Sequence, residues 1–274
     1  MIIFDFQQVA ISNIFQQLNH LTETLDENML RHMILNTIRT YVYKFRSDYG
    51  DEIVLAYDSK NSWRKKVFAN YKSNRKKTRD ESGLDWTEIF KSIDKIKQEL
   101  KEHSHYKVMD IEGAEADDII AVLSKQRGKI LILSSGKDFV QLHNEHVKQY
   151  SPILKKFITS DNPSEQLYDL IIHGDRSDGI PNVLSDDDVI VNGVRQKPIT
   201  ASKLNEWRIH GIPKAIERNF NRNKMLIDLA EIPLEIQENI LNTYNNTKAN
   251  SKMNFMNYMT VHKLKNLITV IDQF

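Results

Sequence analysis

The chain contains no cysteine, no long apolar run and no excess of charge of either sign. The lack of cysteine excludes disulfides, thiolate metal sites and a cysteine nucleophile, and it fits a reducing compartment. No stretch approaches the roughly 18 apolar residues that cross a bilayer. The amino terminus enters a strand-like run at once, without the basic region of a secretion signal. We therefore expect a cytoplasmic protein that binds no membrane.

The total charge is balanced, with 38 Lys and Arg against 37 Asp and Glu, but its distribution is uneven. Residues 60–79 contain nine basic residues and no acidic one, with Trp63, Phe68 and Tyr71 among them. Basic side chains with interleaved aromatic rings are typical of surfaces that contact phosphates and stack on unpaired bases. The alternative is a solvated, lysine-rich surface loop. Because the run follows directly on Asp58, a candidate metal ligand, we favour nucleic-acid contact.

Four short apolar runs, rich in isoleucine and valine, alternate with longer helical patterns. Such runs are typical of buried parallel strands that are covered by helices on both faces. Each run leads to acidic side chains: Ile2–Phe4 to Asp5, Ile53–Tyr57 to Asp58, Tyr106–Met109 to Asp110, Glu115, Asp117 and Asp118, and Ile130–Leu133 to Asp138.

These acidic side chains are expected to converge, because ligands of open α/β sheets bind beyond the carboxyl ends of the strands. Clustered carboxylates repel one another unless a cation lies among them. Their hard oxygen atoms suit Mg²⁺ or Mn²⁺. A metal site is therefore the leading hypothesis from the residues alone.

The chain divides into an α/β part and a helical part. Asp26 is expected to cap a long helix that packs on the sheet. After Ser160 a turn-like linker appears, and no strongly apolar strand follows it. The remainder predicts helices, the last of them from Met256 to Ile271. We therefore predict an α/β domain of residues 1–160 and a helical domain of residues 161–274.

Three local motifs sharpen the metal-site hypothesis. They are Glu115-Ala116-Asp117-Asp118, Ser134-Ser135-Gly136-Lys137-Asp138-Phe139 and Gly174-Asp175-Arg176-Ser177-Asp178-Gly179-Ile180-Pro181. Together with Asp5, Asp58 and the basic segment, defined here as residues 60–82, they resemble the structure-specific 5′ nuclease (flap endonuclease) family. Within it the chain most resembles the ribonuclease H and 5′ to 3′ exonuclease branch of T-even bacteriophages. The resemblance covers nearly the whole chain, and the basic segment resembles the helical arch of the family.

The resemblance implies a phosphodiesterase with two Mg²⁺ ions, which Mn²⁺ can replace, that hold the scissile phosphate and activate a water molecule. It implies that Asp5, Asp58, Glu115 and Asp117 surround the first ion, with Asp118 beside them, and that Asp138, Asp175 and Asp178 serve the second. Asp5, Asp58 and Asp117 are expected to be catalytic, together with Arg64 and Lys72. Nucleic-acid contacts are expected from Arg64, Lys65, Lys72, Arg75 and Lys76, and from Arg195 and Lys197 in a helix–three-turn–helix motif of the helical domain.

One position departs from the family pattern. The family usually has two acids in the stretch where this chain has Gly136 and Asp138, so the second ion lacks one ligand. Three explanations stay open. The site works with water in the missing place, needs more metal, or belongs to a weakened or inactive variant.

The helical domain contains a second departure. In most relatives a glycine-rich Lys-Thr loop follows the segment Asp178–Val183, but here Asp186–Asp188 intervenes. We interpret these three acids as a solvated loop rather than a third metal site. Pro198 suits the first turn of a helix, whose N-terminus can receive a phosphate.

The resemblance predicts a metal-dependent 5′ to 3′ exonuclease and flap endonuclease with ribonuclease H activity. It would remove RNA primers and 5′ flaps during lagging-strand replication of a phage, in the host cytoplasm. Expected partners are DNA with a 5′ flap or 5′ end and RNA–DNA hybrids; a single-strand-binding protein and a sliding clamp are further candidates, and we expect a monomer. One alternative, suggested by Gly136, is a member that binds branched DNA without cutting it. The other is a toxin-type nuclease of RNA alone.

Overall fold

The computed structural model of the protein describes residues 1–18 and 26–274, and these residues contain a six-stranded sheet. The strands are β1 (Ile2–Asp5), β2 (Ile53–Ala56), β3 (Lys107–Met109), β4 (Ile130–Leu133), β5 (Val147–Ser151) and β6 (Lys156–Ile158). Their order is β3-β2-β1-β4-β5-β6, and only β5 and β6 pair in antiparallel fashion. The predicted, mostly parallel sheet is confirmed.

The central strands are buried on both faces. In β1 the side chains of Ile2, Ile3 and Phe4 have no exposed surface, and β4 is buried along its whole length. A parallel strand with helices on both faces needs apolar side chains in both directions, which explains the continuous apolar runs. The edge strand β6 has only three residues and is partly exposed, so no such run marks it.

Helices make up most of the rest of the chain. They are α1 (Phe6–Leu18), α2 (Glu27–Tyr49), α3 (Arg64–Val67), α4 (Asn74–Glu81), α5 (Trp86–His103), α6 (Ala116–Leu123), α7 (Pro163–His173), α8 (Ala201–His210), α9 (Lys214–Ile227), α10 (Leu234–Asn246), α11 (Lys252–Val261) and α12 (Lys265–Ile268). Asp26 caps α2 as predicted, since its carboxylate accepts from the N–H groups of Asn28 and Met29. Within the described ranges no helix has the length and hydropathy of a membrane span.

The described residues group into two compact units that are not consecutive in sequence. The first unit contains residues 1–59, 85–159 and 235–274, and the second contains residues 60–84 and 160–234. The predicted boundary at residue 160 coincides with one border between them. However, the basic segment groups with the helices after residue 160, and the end of the chain groups with the sheet. Linker residues reveal where the chain turns, but not which surface a later helix packs on.

The carboxyl-terminal tail differs from the single helix predicted from Met256 to Ile271. Two helices, α11 and α12, replace it, with a break at Lys263, whose φ is +56°. A left-handed residue ends a helix because it turns the backbone out of the right-handed path. The apolar spacing continues across this break, which is why the pattern resembled one helix.

A buried arginine joins α2 to α5 in the first unit. Arg31 has no exposed surface, and its Nε and Nη2 donate to the two carboxylate oxygens of Glu99 at 2.7 and 2.8 Å. Glu27 and Asn28 accept its remaining hydrogen bonds, at 2.6 and 2.7 Å. The hydroxyl of Tyr258 also donates to Glu99, at 2.9 Å, so the tail packs on the same charge pair.

We predict that Glu99→Ala lowers the free energy of unfolding by about 3 kcal/mol, because it leaves the guanidinium of Arg31 buried with only part of its compensation. Glu102 lies on the same helix with an exposed side chain, and Glu102→Ala should change stability by less than about 0.5 kcal/mol. Urea unfolding of the two variants checks this. Equal losses would show that the buried pair contributes little.

Candidate active site

Asp5 is the last residue of the central strand β1. One of its carboxylate oxygens accepts a hydrogen bond from the hydroxyl of Ser134 at 2.9 Å, and the other accepts from the backbone N–H of Gln8 at 3.2 Å. Ser134 directly follows β4, and Gln8 lies in the first turn of α1. The carboxylate is therefore held by the two chain segments that flank the carboxyl end of β1.

Asp58 lies two residues beyond β2 and binds the start of α6. Its Oδ1 accepts a hydrogen bond from the N–H of Ala116 at 2.8 Å. Ala116 stands between Glu115 and Asp117, so this bond holds acids from distant parts of the sequence at one place. The positive end of the helix dipole favours a carboxylate there.

Glu115 and Asp118 are buried at the first turn of α6. Asp118 has no exposed surface, and its carboxylate accepts a hydrogen bond from the N–H of Glu115 at 2.9 Å, as in a capping box. Asp117, between them, is half-buried. Asp118 therefore has a structural task at the start of this helix in addition to its predicted place beside a cation.

The predicted residues of the first metal position therefore lie in one unit and at one edge of the sheet. Their donor atoms are all carboxylate oxygens, which fits a hard divalent cation. Among the residues that the structure describes, however, no group of three or more Asp, Glu or His side chains is arranged so that it could hold a metal ion.

The loop after β4 is held by the side chain of Gln149. Its amide nitrogen donates to the carbonyl oxygens of Ser134 and Gly136 at 2.9 and 2.7 Å, and its Oε1 lies 2.9 Å from Nε2 of His143. Because an amide oxygen can only accept, His143 donates from Nε2 to Oε1. Burial lowers the pKa of His143, and the hydrogen bond to Gln149 opposes this shift.

Gly136 occupies a place that leaves no room for a side chain. A Cβ atom on Gly136 would lie 2.9 Å from the ring of Phe139 and 3.4 Å from the hydroxyl of Ser134. Phe139 is 1% exposed, so its ring has little freedom to move. Asp138 lies in the 3-10 helix that follows, half-buried. The packing around Gly136 is therefore adapted to a residue without a side chain, where the family usually has an acid.

The aromatic residues of the basic segment are buried in the second unit, contrary to the expectation that they stack on bases. Trp63, Phe68 and Tyr71 are 6%, 5% and 3% exposed. Phe68 and Tyr71 pack in one apolar cluster with Ile180 and Leu226. Their spacing among basic residues is the spacing of a packing face, and their burial does not support the interpretation as stacking platforms.

The predicted phosphate-binding residues have different surroundings. Arg64 is buried, and its Nε donates to the carbonyl oxygen of Leu226 at 2.9 Å, which does not support a phosphate contact. It anchors α3 on α9. The other predicted residues lie toward the surface: Lys65, Arg75, Lys76, Arg195 and Lys197 are exposed, and Lys72 is partly exposed.

The remaining predicted ligands are divided between the units, since Asp138 belongs to the first, and Asp175 and Asp178 belong to the second. Asp175 is buried, and its Oδ1 accepts from the N–H and the hydroxyl of Ser177 at 2.8 and 2.6 Å. Asp178 lies against the basic segment. Its carboxylate accepts hydrogen bonds from Nη2 of Arg75 at 2.5 Å and from the hydroxyl of Tyr71 at 3.2 Å.

The sequence suggested that Asp186–Asp188 form a solvated loop, but not all three acids are exposed to solvent. Asp187 pairs with Arg218 and with the buried Arg222, and these contacts, led by the hydrogen bond from Arg218, lower its pKa. A run of acidic residues in the sequence does not reveal that two arginines of the later helix α9 face it. Pro198 also lies before α8 rather than in its first turn, since Thr200 is the N-cap.

Three residues of the first unit have roles that the sequence did not predict. Ser134 and Gln8 hold Asp5, and Gln149 holds the loop that carries Gly136. Ser134 stands in a motif of the resemblance, but only its contacts reveal what it does. For Gln8 the available signal was its position three residues after Asp5, at the start of a helix.

Two family models match the chain. The model described as 5'-3' exonuclease, N-terminal resolvase-like domain, matches residues 3–168, and the model described as T4 RNase H, C terminal, matches residues 163–274. The first match covers more than half of the chain and includes the acidic sheet edge described above. The chain therefore belongs to the 5′-3′ exonuclease family, a class of nucleases. The two matches meet close to the boundary predicted at residue 160.

Individual proteins with similar sequences indicate which nucleases of this family the chain resembles. The chain is 36% identical to the ribonuclease H of Enterobacteria phage T4 over an alignment of 290 positions. This alignment covers 99% of this chain and 95% of the relative. It is 34% identical over 145 positions to a 5'-3' exonuclease of Buchnera aphidicola subsp. Acyrthosiphon pisum, 48% of each chain. The similarity to the phage protein extends through the helical half, beyond the part shared with the bacterial exonuclease.

Solved structures share the fold. A 5′-exonuclease of phage T5 with bound zinc ions has a TM-score of 0.65 at 16% identity, and the match covers 90% of this chain and 99% of that chain. A T5 flap endonuclease in a complex with DNA and metal ions also has a TM-score of 0.65, with 89% and 99% coverage. Identities this low show a common fold, which agrees with the mixed sheet and the helical half described above.

We predict that Gly136→Ala lowers the free energy of unfolding by about 1–3 kcal/mol, because the new Cβ overpacks the ring of Phe139. In the double variant with Phe139→Leu the loss should be smaller than the sum of the two single losses, since the smaller side chain relieves the clash. Urea unfolding of the four proteins measures the coupling. Strict additivity would show that the loop accommodates a side chain without contact with Phe139.

Proposed function

We propose that this nuclease depends on a divalent cation and cleaves DNA at 5′ ends and 5′ flaps, and RNA in RNA–DNA hybrids. Its role would be to remove primers and flaps during phage lagging-strand replication. The observation that supports the reaction most is the bond between Asp58 and the N–H of Ala116, which joins the acids of β2 and α6. The relative named ribonuclease H and the T5 flap endonuclease with DNA and metal ions support the substrate and the cation.

In this proposal the acids at the sheet edge hold the cation and the neighbouring groups orient them. Bound divalent cations would supply an activated water molecule and a polarised phosphate. The cation ligands would be Asp5, Asp58, Glu115 and Asp117, with Asp118 contributing directly or through water. Asp138, Asp175 and Asp178 are further candidate ligands. Ser134 and Gln8 fix the orientation of Asp5, and the N–H of Ala116 fixes that of Asp58.

Nucleic-acid contact is assigned to basic side chains that are exposed. Lys65 and Lys76 lie in the basic segment, and Arg195 and Lys197 lie in the loop before α8. Each can neutralise a phosphate, which positions a substrate without reading its bases. We assign the single-stranded 5′ side to the first pair and the duplex to the second, as the arch and the helix–three-turn–helix motif suggest.

A second function is favoured by one observation. Gly136 offers no oxygen to a second cation, and Phe139 fills the space that a side chain would need. A chain with a weakened second position would bind branched DNA and cut it slowly or not at all. The two proposals predict the same binding and differ only in cleavage.

Cleavage of a labelled 5′-flap substrate, titrated with Mg²⁺ and with Mn²⁺, tests the first proposal. Asp5→Asn and Asp58→Asn should each reduce the rate by at least about a hundredfold, because even the groups that only support metal ligands contribute 10–100-fold. Asp51 precedes β2 and is exposed, and Asp51→Asn is the matched control with an expected rate close to that of the unaltered protein.

Three results would contradict the first proposal. Cleavage that persists in excess chelator would exclude metal dependence. Flap binding without cleavage at any metal concentration would instead support the branched-DNA binder. A preference for unstructured RNA over the flap and the hybrid would favour an RNA-specific nuclease.

Salt dependence tests the assignment of the phosphate contacts. For a 5′-flap substrate, Lys65→Gln and Lys76→Gln should each reduce the slope of log affinity against log salt by about 1, because each removes one phosphate contact. For a nicked duplex without a flap, Arg195→Gln and Lys197→Gln should have that effect instead. Lys101→Gln, an exposed position on α5, is the control. Equal slopes in all five variants would contradict both assignments.

A further inference from the structure

A turn of the second unit lies against the basic segment. This turn, residues 174–180, follows α7, and it is called here the acidic turn. Its backbone carbonyl groups accept hydrogen bonds from the basic segment: Asp178 O from the N–H of Lys72 at 2.7 Å, and Arg176 O from the side-chain amide of Asn74 at 2.9 Å. Both segments belong to the second unit.

The carboxylate of Asp178 is the centre of this contact. It accepts a hydrogen bond from the hydroxyl of Tyr71 at 3.2 Å and from Nη2 of Arg75 at 2.5 Å, and Nζ of Lys72 lies 3.8 Å away. The side chain of Asp178 is only 14% exposed, so these charged contacts are partly removed from water. Hydrogen bonds to charged groups are the stronger ones in proteins.

The backbone on both sides is adapted to this approach. Gly179 has a φ of +73°, and a Cβ atom there would lie 2.8 Å from the carbonyl oxygen of Asn70. Lys72 has a φ of +56°, a conformation that a lysine adopts only where its surroundings hold it. The backbone N–H and the Nζ of Lys72 both face Asp178, which explains what holds it.

We propose that Asp178 is a positioning residue that fixes the basic segment at the point where α4 begins. Through Tyr71, Lys72 and Arg75 it holds the start of α4, which carries basic side chains, against the acidic turn. This deepens the proposed function, because phosphate contact by the basic segment is part of that proposal. It is additional to the role of cation ligand that the resemblance implies for Asp178.

Hydrogen exchange of the full chain, in chelator and without nucleic acid, tests this assignment. In Asp178→Asn the amides of residues 70–75 should exchange about tenfold faster, because a charged acceptor for Tyr71, Lys72 and Arg75 is lost. The amides of α5 are the internal reference and should not change. Asp178→Glu retains the charge and should restore part of the protection. Asp186→Asn removes an exposed acid of the same unit and should have no effect.

Equal exchange of residues 70–75 in Asp178→Asn and Asp186→Asn would overturn the assignment, and so would a failure of Asp178→Glu to restore any protection. If Asp178→Asn also loosens α5, Tyr71→Phe replaces it, with an expected increase of about threefold for one lost hydrogen bond; no increase there overturns the assignment. The measurement needs neither metal nor substrate. A protein that cleaves no flap but shows these exchange effects would contradict the proposed function and leave the role of Asp178 intact.

Discussion

The parallel pairing of β1 with β2 and β4 is the constraint on which the candidate site depends. Parallel strands end at the same edge of a sheet, so the residues that follow them meet there although they are far apart in sequence. Phe4 pairs with Leu133, which sets Asp5 beside Ser134 and permits their hydrogen bond. A shift of β4 by one residue would end this alignment of Asp5 with Ser134, so the site depends on the register of the two strands.

Hydrogen bonds orient the acids of the first unit. Asp5 and Asp58 accept them from Ser134, Gln8 and Ala116, and hydrogen bonds of this kind favour the charged form of a carboxylate. In the second unit Asp178 and Asp187 are paired with arginines. In that unit the carboxylates pair with basic side chains of the protein itself, and these pairs join a loop to a basic surface.

The sequence was informative where burial repeats along the chain, and less so where a single distant contact decides. The runs of β1, β2 and β4 and the cap at Asp26 were predictable because local pattern and fold agree there. The pairing of Asp187 with Arg218 depends on a helix that begins more than 20 residues later, and no local signal records it. The edge strand β6 has no local signal because few of its side chains are buried. The break at Lys263 has none because the apolar spacing continues across it.

The burial of Trp63, Phe68 and Tyr71 has a consequence for the proposed substrate range. Without these rings on the surface, the basic segment contributes charge but not base stacking. Phosphate contacts carry no base information and do not distinguish a ribose from a deoxyribose by its 2′-hydroxyl. A nuclease that holds its substrate in this way would accept the 5′ strand of a DNA flap and of an RNA–DNA hybrid alike. Its selectivity would then come from the shape of the junction, because a free 5′ end beside a duplex is the feature that both substrates share.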